Sequence, residues 1–392
     1  MIGYLTASFC LLLTLLNLVT LGLAGWRCRR RAEPLEARLR ATELDNPTPP
    51  VSIVRPLRGL EAYSELTLRS TFDLDYPDYE VLLCVHEEHD PIIPLVEKLL
   101  AEQPKGRGRL LIGDDPISAN PKLNNCFKGW QAAMHQWIVL ADSNMLAPRD
   151  YLQQMLAHFT PEIGLVCSPP LGIMPQGFYA QIECTFLNSF QARYQFCADA
   201  LGAGYAQGKS MMWRREIVDQ AGGLVALASE PAEDAASTKL VRAAGMSVTL
   251  VDRPFGQPLG PRSLPDVYQR QTRWARLRRA SFPLLYASEI FSVSFLPILA
   301  GAYAAREFGF EPWAIVALVA VLWVVPEAIM TAVLRWPIHF TTPFAFLLRD
   351  LLFPVIWMHS WLADEFVWLG NSMTVRKNRD KRIDGAANSD LA

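Results

Sequence analysis

Residues 137–144 read Trp-Ile-Val-Leu-Ala-Asp-Ser-Asn, an apolar run that ends in a carboxylate, Asp142, and two small polar residues. This pattern predicts a buried strand that carries an acid at its tip. Ligands of open α/β sheets bind just beyond the carboxyl ends of parallel strands, so an acid at this position is placed to hold a metal ion or a polar ligand. An aspartate that only caps the next turn produces the same pattern. The rest of the sequence is needed to decide between a ligand-binding acid and a turn cap.

Strand-like and helix-like segments alternate on both sides of this run. Strands are predicted at 51–57, 79–85, 109–113, 163–168, 211–213 and 246–251, and helices at 61–72, 92–102, 123–135, 178–196, 234–244 and 268–279. The alternation predicts an α/β domain with a doubly wound, mostly parallel sheet. Its crevice would be lined by Arg55, by 86–90, by Asp114 and by Asp142, with the glycine-rich segment 202–209 as a flexible turn nearby.

Composition excludes several classes of protein. The 392 residues carry a formal net charge of −2, which gives no electrostatic sign of nucleic-acid binding. Seven scattered cysteines without a Cys-x-x-Cys pair indicate reduced, mostly buried thiols. His86-x-x-His89 is a weak zinc candidate, because no third ligand stands at a recognised spacing. Hydrophobic residues make up 51 % and are concentrated at the two ends, which indicates a membrane protein with a soluble middle.

The charge order predicts the membrane layout. An apolar run at 2–24 is followed by basic residues at 27–31, which favours a retained anchor with its N-terminus outside over a cleaved signal peptide. Segments 290–304, 313–334 and 344–369 are further candidates, and the basic segment 376–382 favours the cytoplasm. An external N-terminus then requires an odd number of spans, so three fit and four do not. One C-terminal segment would lie in the interface.

The predicted order of domains follows from these features. It is an N-terminal transmembrane anchor at 1–27, a linker at 28–49, a cytosolic α/β domain at 50–285, C-terminal membrane helices at 286–370, and a basic tail at 371–392. In the helix at 268–279, the residues Arg276, Arg278 and Arg279 are explained by a basic stop before a membrane segment. Acids at strand ends and a basic aromatic helix at the membrane surface suggest an anionic soluble donor that meets a lipid acceptor.

Six motifs occur in a specific order between residues 50 and 285. They are Arg55-Pro-Leu-Arg-Gly59, the run 75–85, Asn120-Pro-Lys-Leu-Asn-Asn125, Gly222-Gly-Leu224, Ala232-Glu-Asp234 and Arg270-Gln-Thr-Arg-Trp274. In this order and spacing they resemble the ceramide glucosyltransferases, which are membrane-bound inverting enzymes with the GT-A nucleotide-sugar fold. The resemblance extends to the membrane layout at both ends. It implies a GT-A domain at 50–285.

The resemblance also implies roles for individual residues. Asp90 matches the first aspartate of the family pattern D, D, D, (Q/R)xxRW and would bind the nucleotide. Asp142 matches the second and would ligate a divalent cation, Mg²⁺ or Mn²⁺, on the UDP diphosphate. Asp234 matches the third, the general base, although the neighbouring Glu233 could equally be the base. Arg55 belongs to the motif at the first strand end and is a further candidate for nucleotide binding.

The (Q/R)xxRW motif is matched by Arg270, Arg273 and Trp274. Inverting transfer is a single displacement at the anomeric carbon, so one carboxylate takes a proton from the lipid hydroxyl while cations stabilise the departing UDP. Arg273 can bind a phosphate through two donors, and Trp274 can pack on the sugar or an acyl chain. Lys122 at a helix start either adds positive charge near the diphosphate or is a surface lysine.

Two departures from the family pattern bear on the substrates. Gln191 stands where the family has a donor-binding histidine, and Asn144 stands where a glycine is usual. The expected reaction moves a hexose, first of all glucose, from a UDP-sugar to the primary hydroxyl of a ceramide-type lipid, in a bacterial cytoplasmic membrane with the catalytic domain in the cytoplasm. The alternatives are a hopanoid acceptor, with UDP-N-acetylglucosamine or another UDP-sugar as donor, and a non-catalytic protein that binds nucleotide sugar or lipid. A polysaccharide synthase would need more membrane helices.

Overall fold

The sheet that carries the site is seven-stranded. A computed structural model describes residues 1–29, 35–42, 46–368 and 371–374. The strands are β1 (Val51–Leu57), β2 (Tyr79–Val85), β3 (Gly108–Ile112), β4 (Trp137–Ala141), β5 (Ile163–Cys167), β6 (Leu171–Gln176), β7 (Ser210–Arg214), β8 (Ser247–Leu250), β9 (Gly256–Pro261), β10 (Glu365–Trp368) and β11 (Asn371–Thr374). The order in the main sheet is β3-β2-β1-β4-β7-β5-β8, and β6 pairs with β9 and β10 with β11.

The main sheet is mostly parallel, as the alternation of elements predicts. Strands β1 and β2 are buried along their whole length, which agrees with their nearly continuous apolar sequence. Strand β7 is the exception, since it runs antiparallel between β4 and β5. Its register pairs Ala141 with Ser210, and the Asp142 N–H donates to the Lys209 carbonyl at 3.0 Å. The antiparallel strand therefore brings Lys209 opposite Asp142.

Fifteen helices are described. They are α1 (Ile2–Arg29), α2 (Leu35–Ala41), α3 (Ser64–Phe72), α4 (Ile93–Ala101), α5 (Pro121–Ala132), α6 (Tyr151–Leu156), α7 (Phe178–Thr185), α8 (Arg193–Ala200), α9 (Arg215–Gln220), α10 (Glu233–Ala243), α11 (Leu264–Ser281), α12 (Pro283–Ser288), α13 (Phe295–Glu307), α14 (Pro312–Val333) and α15 (Thr342–Leu362). The predicted helix at 178–196 is interrupted, because a π-helical segment, Phe186–Ala192, separates α7 from α8. Gln191 lies in this segment.

Three helices in the described part of the chain are long and apolar enough to cross a membrane: α1, α14 and α15. The odd number predicted from the charges requires all three to span and no further crossing. Within the candidate membrane segment 290–304, α13 begins only at Phe295, after a bend of 50° from the segment 283–292. The bent pair would add a fourth crossing if it forms one span.

The last predicted membrane segment, 344–369, was wrong at its end. Helix α15 stops at Leu362, and the chain then turns into the β10–β11 hairpin. The polar Asp364 follows the helix end and pairs with Arg279 of α11. This part of the chain therefore lies against the α/β domain. The basic segment 376–382 lies outside the described residues.

Charged residues inside the C-terminal helices are paired with one another. Arg349 of α15 lies 2.5 Å from Glu327 of α14 and 2.7 Å from Asp350, and all three are buried. The second carboxylate oxygen of Asp350 accepts from the Ser294 N–H at the start of α13. Arg349 also donates to the Ser189 hydroxyl in the π-helical segment at 3.1 Å. This cluster connects α13, α14 and α15 to the π-helical segment of the α/β domain.

Candidate active site

A cavity of about 1250 Å³ opens at the carboxyl ends of β1 and β4, beneath α11. Its wall brings together residues from distant parts of the sequence. Among them are Lys122, Asp142, Asn144, Gln191, Gly208, Lys209, Glu233, Asp234, Arg270, Arg273 and Trp274. Of the nine predicted site residues, seven line this cavity, and the exceptions are Arg55 and Asp90. Their placement is described below.

Lys122 joins two of the acids. Asn120 caps α5 by accepting from the Lys122 and Leu123 N–H groups, which fixes the first turn of the helix. The Lys122 ammonium lies 2.5 Å from Asp142 and 2.6 Å from Glu233, and it donates to the Gly208 carbonyl at 2.6 Å. Burial alone would lower the pKa of Lys122, but the two carboxylates raise it. The alternative of a surface lysine is therefore wrong.

Asp142 carries an ammonium group on each carboxylate oxygen. Lys122 occupies Oδ1, and Lys209 occupies Oδ2 at 2.6 Å. Lys209 also donates to Asn144 Oδ1 at 3.3 Å, and its ammonium lies 5.8 Å from the centre of the Trp274 ring. Burial opposes ionisation of Asp142, yet the two lysines hold its pKa well below the usual range. Lys209 was not identified from the sequence, because only the antiparallel pairing of β7 brings it to Asp142.

The adjacent acids at the start of α10 have different environments. Glu233 is buried and holds Lys122 and the Asn120 side-chain amide, which donates at 2.8 Å. Asp234 lies in the cavity wall and accepts from the Gly208 N–H at 3.1 Å and from the Ala235 N–H at 2.8 Å. Burial, and then the charge of Glu233, raise the pKa of Asp234 to about 6. This environment favours Asp234 over Glu233 as the proton acceptor.

The basic aromatic motif lies on α11, whose start is fixed by a capping box between Ser263 and Asp266. The Arg270 guanidinium lies 4.7 Å from the centre of the Trp274 ring and pairs with Glu183 at 3.2 Å. Burial, and then the charge of Arg270, lower the pKa of Arg273 to about 10, where it remains cationic at neutral pH. The motif thus adds positive charge and one aromatic face to the cavity.

Gln191 reaches the same motif indirectly. Its amide donates to Gln271 at 3.1 Å, and Gln271 donates to Glu183 at 3.3 Å. Glu183 is fully buried and is the carboxylate that pairs with Arg270. The residue that departs from the family pattern is therefore connected to Arg270 through two side chains. Glu183 was missed from the sequence because it stands in an apolar aromatic helix without a motif of its own.

Arg55 is fully buried and lies beneath the turn that follows β4. Its guanidinium donates to the backbone carbonyls of Asp142, Ser143 and Met145 at 2.8, 2.9 and 3.0 Å. The predicted contact of Arg55 with a substrate is thus not supported by this geometry, since the side chain is fully buried and both terminal nitrogens of the guanidinium donate to the chain itself. The observed role of Arg55 is to position the backbone of Asp142.

Asp90 holds the loop after β1. Its two carboxylate oxygens accept from the Gly59 N–H at 3.0 Å each, and one of them also accepts from the Ile92 N–H at 2.9 Å. Gly59 has a φ of 67°, a conformation that glycine adopts without strain. The neighbouring Arg58, His86 and Glu87 line the cavity. Asp90 is therefore placed behind this part of the wall, and its contact with a nucleotide stays a prediction.

The oxygen atoms at Asp142 fit a cation that a substrate helps to bind. Within the described ranges, no group of three or more histidine, cysteine or acidic side chains could hold a metal by itself, which leaves His86 and His89 without a zinc site. Asp142 and Asn144 nevertheless present carboxylate and amide oxygens to one point, which Lys209 fills. Mg²⁺ typically takes one or two carboxylates and completes its shell with substrate phosphates and water. The donor set suits that arrangement.

Comparison with known proteins decides the family. Residues 12–381 match the model of glycosyl transferase family 21. The chain belongs to this family. A family 21 member is a glycosyltransferase, so the predicted resemblance and the class of enzyme are confirmed.

Two relatives show how far the similarity extends. Ceramide glucosyltransferase 1 of Caenorhabditis elegans is 26 % identical over 371 residues, which cover 93 % of this chain and 77 % of the relative. The ceramide glucosyltransferase of Komagataella phaffii is 30 % identical over 295 residues, which cover 59 % of this chain and 58 % of the relative. The similarity to the first therefore includes nearly all of this family 21 chain.

A solved structure supports the fold. A mannosyltransferase from Pyrobaculum calidifontis, in complex with GDP-Man and Mn²⁺, superposes with a TM-score of 0.53 at 17 % sequence identity and covers 88 % of this chain and 99 % of its own. At this identity the likeness concerns the fold alone. The predicted GT-A fold with apolar helices at both ends is confirmed.

Proposed function

We propose that this family 21 enzyme transfers a hexose, first of all glucose, from a UDP-sugar to the primary hydroxyl of a ceramide-type lipid. The observation that carries the proposal is that Asp234, with a raised pKa, shares one cavity with the cations around Asp142. A proton acceptor and a place for a departing diphosphate are the two parts that an inverting transfer needs. The names of the relatives supply the choice of glucose and ceramide.

The proton of the acceptor is assigned to Asp234. The lipid hydroxyl oxygen bonds to the anomeric carbon while its proton passes to Asp234, and the bond from that carbon to the diphosphate oxygen breaks with its electron pair leaving on UDP. Because the pKa of Asp234 is about 6, this carboxylate is ionised near neutral pH and is still a better base than an ordinary aspartate. Glu233 cannot easily replace it, since Lys122 and Asn120 hold its oxygens.

The leaving diphosphate is assigned to the cationic side of the cavity. Lys122, Lys209 and Arg273 line this side, and Arg270 stacks on Trp274 beside them. In the central cluster, four cations face four acids: Lys122, Lys209, Arg270 and Arg273, and Asp142, Glu183, Glu233 and Asp234. A diphosphate adds negative charge to this set. A divalent cation, Mg²⁺ or Mn²⁺, held by Asp142 and the donor phosphates would offset it.

The acceptor is assigned to the apolar end of the cavity. Leu277, Phe282, Leu285 and Tyr286 continue the wall from α11 into α12. Leu284 and Leu285 of α12 are 87 % and 68 % exposed, which leaves an apolar surface beside the membrane-side helices. A lipid could place its chains on this surface and its hydroxyl towards Asp234. The proposed location is a membrane, with the site on the cytoplasmic face and the bacterial inner membrane as the compartment.

A transfer assay tests the proposal. Detergent-solubilised protein is given UDP-glucose, UDP-galactose, UDP-glucuronate or UDP-N-acetylglucosamine, each with ceramide or with a hopanoid, and is run beside Asp234→Asn. A monoglycosylated ceramide from UDP-glucose that disappears in the variant is the expected result. A glycosylated hopanoid would show that the acceptor is a hopanoid and that the reaction is still a glycosyl transfer. Binding of nucleotide sugar without any product from any pair would refute the transferase and favour the binding protein.

A further inference from the structure

Lys209 occupies a position with the chemistry of a cation site. Its ammonium lies 2.6 Å from Asp142 Oδ2 and 3.3 Å from Asn144 Oδ1. In the turn after β4, these two side-chain oxygens face the same point. A hard divalent cation selects the same ligands, a carboxylate and an amide oxygen. An ammonium and a divalent cation on the same carboxylate oxygen repel each other, so binding of the divalent cation at Asp142 Oδ2 favours departure of the Lys209 ammonium.

Of the two lysines on Asp142, Lys209 is held less firmly. The Lys122 ammonium has three strong partners, two carboxylates and the Gly208 carbonyl, all between 2.5 and 2.6 Å. The contacts of Lys209 are one carboxylate at 2.6 Å and one amide oxygen at 3.3 Å. Lys209 is thus the cation that can leave Asp142 at the smaller cost.

We propose that Lys209 is an internal counter-ion that fills the Asp142–Asn144 cation position in the donor-free protein, so that a divalent cation binds only together with the donor diphosphate. This inference rests on the proposed function, because it requires a nucleotide diphosphate as the donor. The diphosphate offers Lys209 anionic oxygens in exchange for Asp142, and it supplies the phosphate ligands that complete the shell of the metal. Binding of metal and binding of nucleotide are therefore coupled through Lys209.

Manganese binding measured by electron paramagnetic resonance tests the coupling without any turnover. Full-length protein in detergent is titrated with Mn²⁺, and the signal of free Mn²⁺ is recorded without and with saturating UDP. UDP is expected to raise the apparent affinity of the wild type for Mn²⁺ by at least about tenfold. In Lys209→Met, which keeps the chain length and removes the charge, Mn²⁺ is expected to bind without UDP, and the effect of UDP falls below about threefold.

Two control variants separate the charge of Lys209 from a general effect. Lys128→Met removes another ammonium, which donates to Asn125 at 2.8 Å, and is expected to match the wild type. Lys209→Arg keeps the charge and is expected to preserve the dependence on UDP. The inference is overturned if the wild type binds Mn²⁺ equally well with and without UDP, or if Lys209→Met still needs UDP. Should Lys209→Met fail to fold, the wild type and Lys209→Arg decide the question.

The failure of the inference can be told from the failure of the proposed function. Binding of UDP and of UDP-glucose is measured by calorimetry on the same samples. If neither nucleotide binds at any Mn²⁺ concentration, the proposed donor is wrong and the coupling falls with it. If nucleotide binds and Mn²⁺ binds independently of it, only the role of Lys209 is wrong.

Discussion

Replacement of Lys122 by methionine removes the cation that joins two of the site's acids. In the wild type, the Lys122 ammonium lies 2.5 Å from Asp142 and 2.6 Å from Glu233, and the side chains of the three residues are 12, 17 and 10 % exposed. In Lys122→Met, Asp142 keeps Lys209 as its partner, whereas Glu233 loses its ion pair with Lys122. The Gly208 carbonyl also loses its lysine donor. The variant therefore leaves one acid poorly compensated in a nearly buried site.

The expected loss of stability is about 2–4 kcal/mol. Removal of one partner from a buried ion pair costs about 3–5 kcal/mol, and the contact of this site with cavity water reduces the figure. The two carboxylates bonded to one ammonium are at most about 5 Å apart, where their repulsion is about 3 kcal/mol at an effective dielectric constant of about 20. The midpoint of thermal unfolding should fall by about 5–10 °C for a domain of this size.

The loss should also depend on pH. Lys122 lowers the pKa of Asp234, which burial and the charge of Glu233 raise, so in Lys122→Met this pKa rises further above its unfolded value. The folded state then binds a proton that the unfolded state lacks, and stability falls as pH rises through that range. In the wild type, the lowered pKa of Asp142 contributes stability that is lost only when pH falls below the ordinary carboxylate range. The gap between variant and wild type should widen from about pH 5 to about pH 8.

Thermal unfolding of detergent-solubilised protein across this pH range measures both effects. Lys105→Met is the control, because this lysine is exposed in the loop before β3 and lies outside the cavity wall. Its effect should stay below about 1 kcal/mol at every pH. A stability of Lys122→Met within that margin of the wild type, or a gap that narrows as pH rises, would refute the reasoning about the bridging lysine.

Three further predictions concern the base and the membrane helices. The kcat/KM of transfer should fall about tenfold per pH unit below about pH 6, where Asp234 is protonated, and a flat profile from about pH 5 to about pH 7 would exclude this base. Glu233→Gln removes a charge that raises the pKa of Asp234, so the acidic limb of its pH–rate profile should move to lower pH, and a move to higher pH would contradict the assignment. Arg349→Met should lower the free energy of unfolding by about 3–5 kcal/mol, because Glu327 and Asp350 then lack their cation. The double variant Arg349→Met, Glu327→Met should recover part of this loss, and thermal unfolding measures both variants.

The strands were predicted well where the sequence alone defines them. The bounds of β1 and β2 agree with the predicted 51–57 and 79–85, since both are apolar runs bounded by turn residues and buried on both faces. Strands β6 and β9 were not predicted, because each is short, contains proline and glycine, and pairs with a partner that is far away in the sequence. The direction of β7 was not predicted either, since strand pairing is a long-range property.

The site was predicted only in part, because some of its residues come together through strand pairing between distant parts of the sequence. Asp142 was predicted from the strand that precedes it, and Asp234 and the motif at 270–274 were predicted from the resemblance to the ceramide glucosyltransferases. The structure brings them to one cavity. Lys209 was missed because its importance depends on the register of β7 against β4, which no local pattern reveals. Arg55 differs from these residues, since its motif position predicts contact with a substrate, whereas the structure shows a buried side chain that supports the Asp142 turn.

In the C-terminal apolar helices, a charged residue is compatible with a membrane span when it is paired. Glu327 stands within the apolar segment 313–334, and Arg349 and Asp350 stand within 344–369. In the structure Arg349 pairs with both acids, and α14 and α15, which are 22 and 21 residues long, are candidates for spans. Sequence spacing could not reveal this arrangement, because Glu327 and Arg349 belong to different helices.

The anomeric configuration of the product tests the central claim, a single displacement with Asp234 as base, most directly. UDP-glucose, whose glucose is α-linked, is incubated with ceramide and the wild-type protein, and the linkage of the glycolipid is read from the proton spectrum of its anomeric position. A β-linked product that is absent with Asp234→Asn is the predicted result. An α-linked product, or a β-linked product formed at the wild-type rate by Asp234→Asn, would contradict the account.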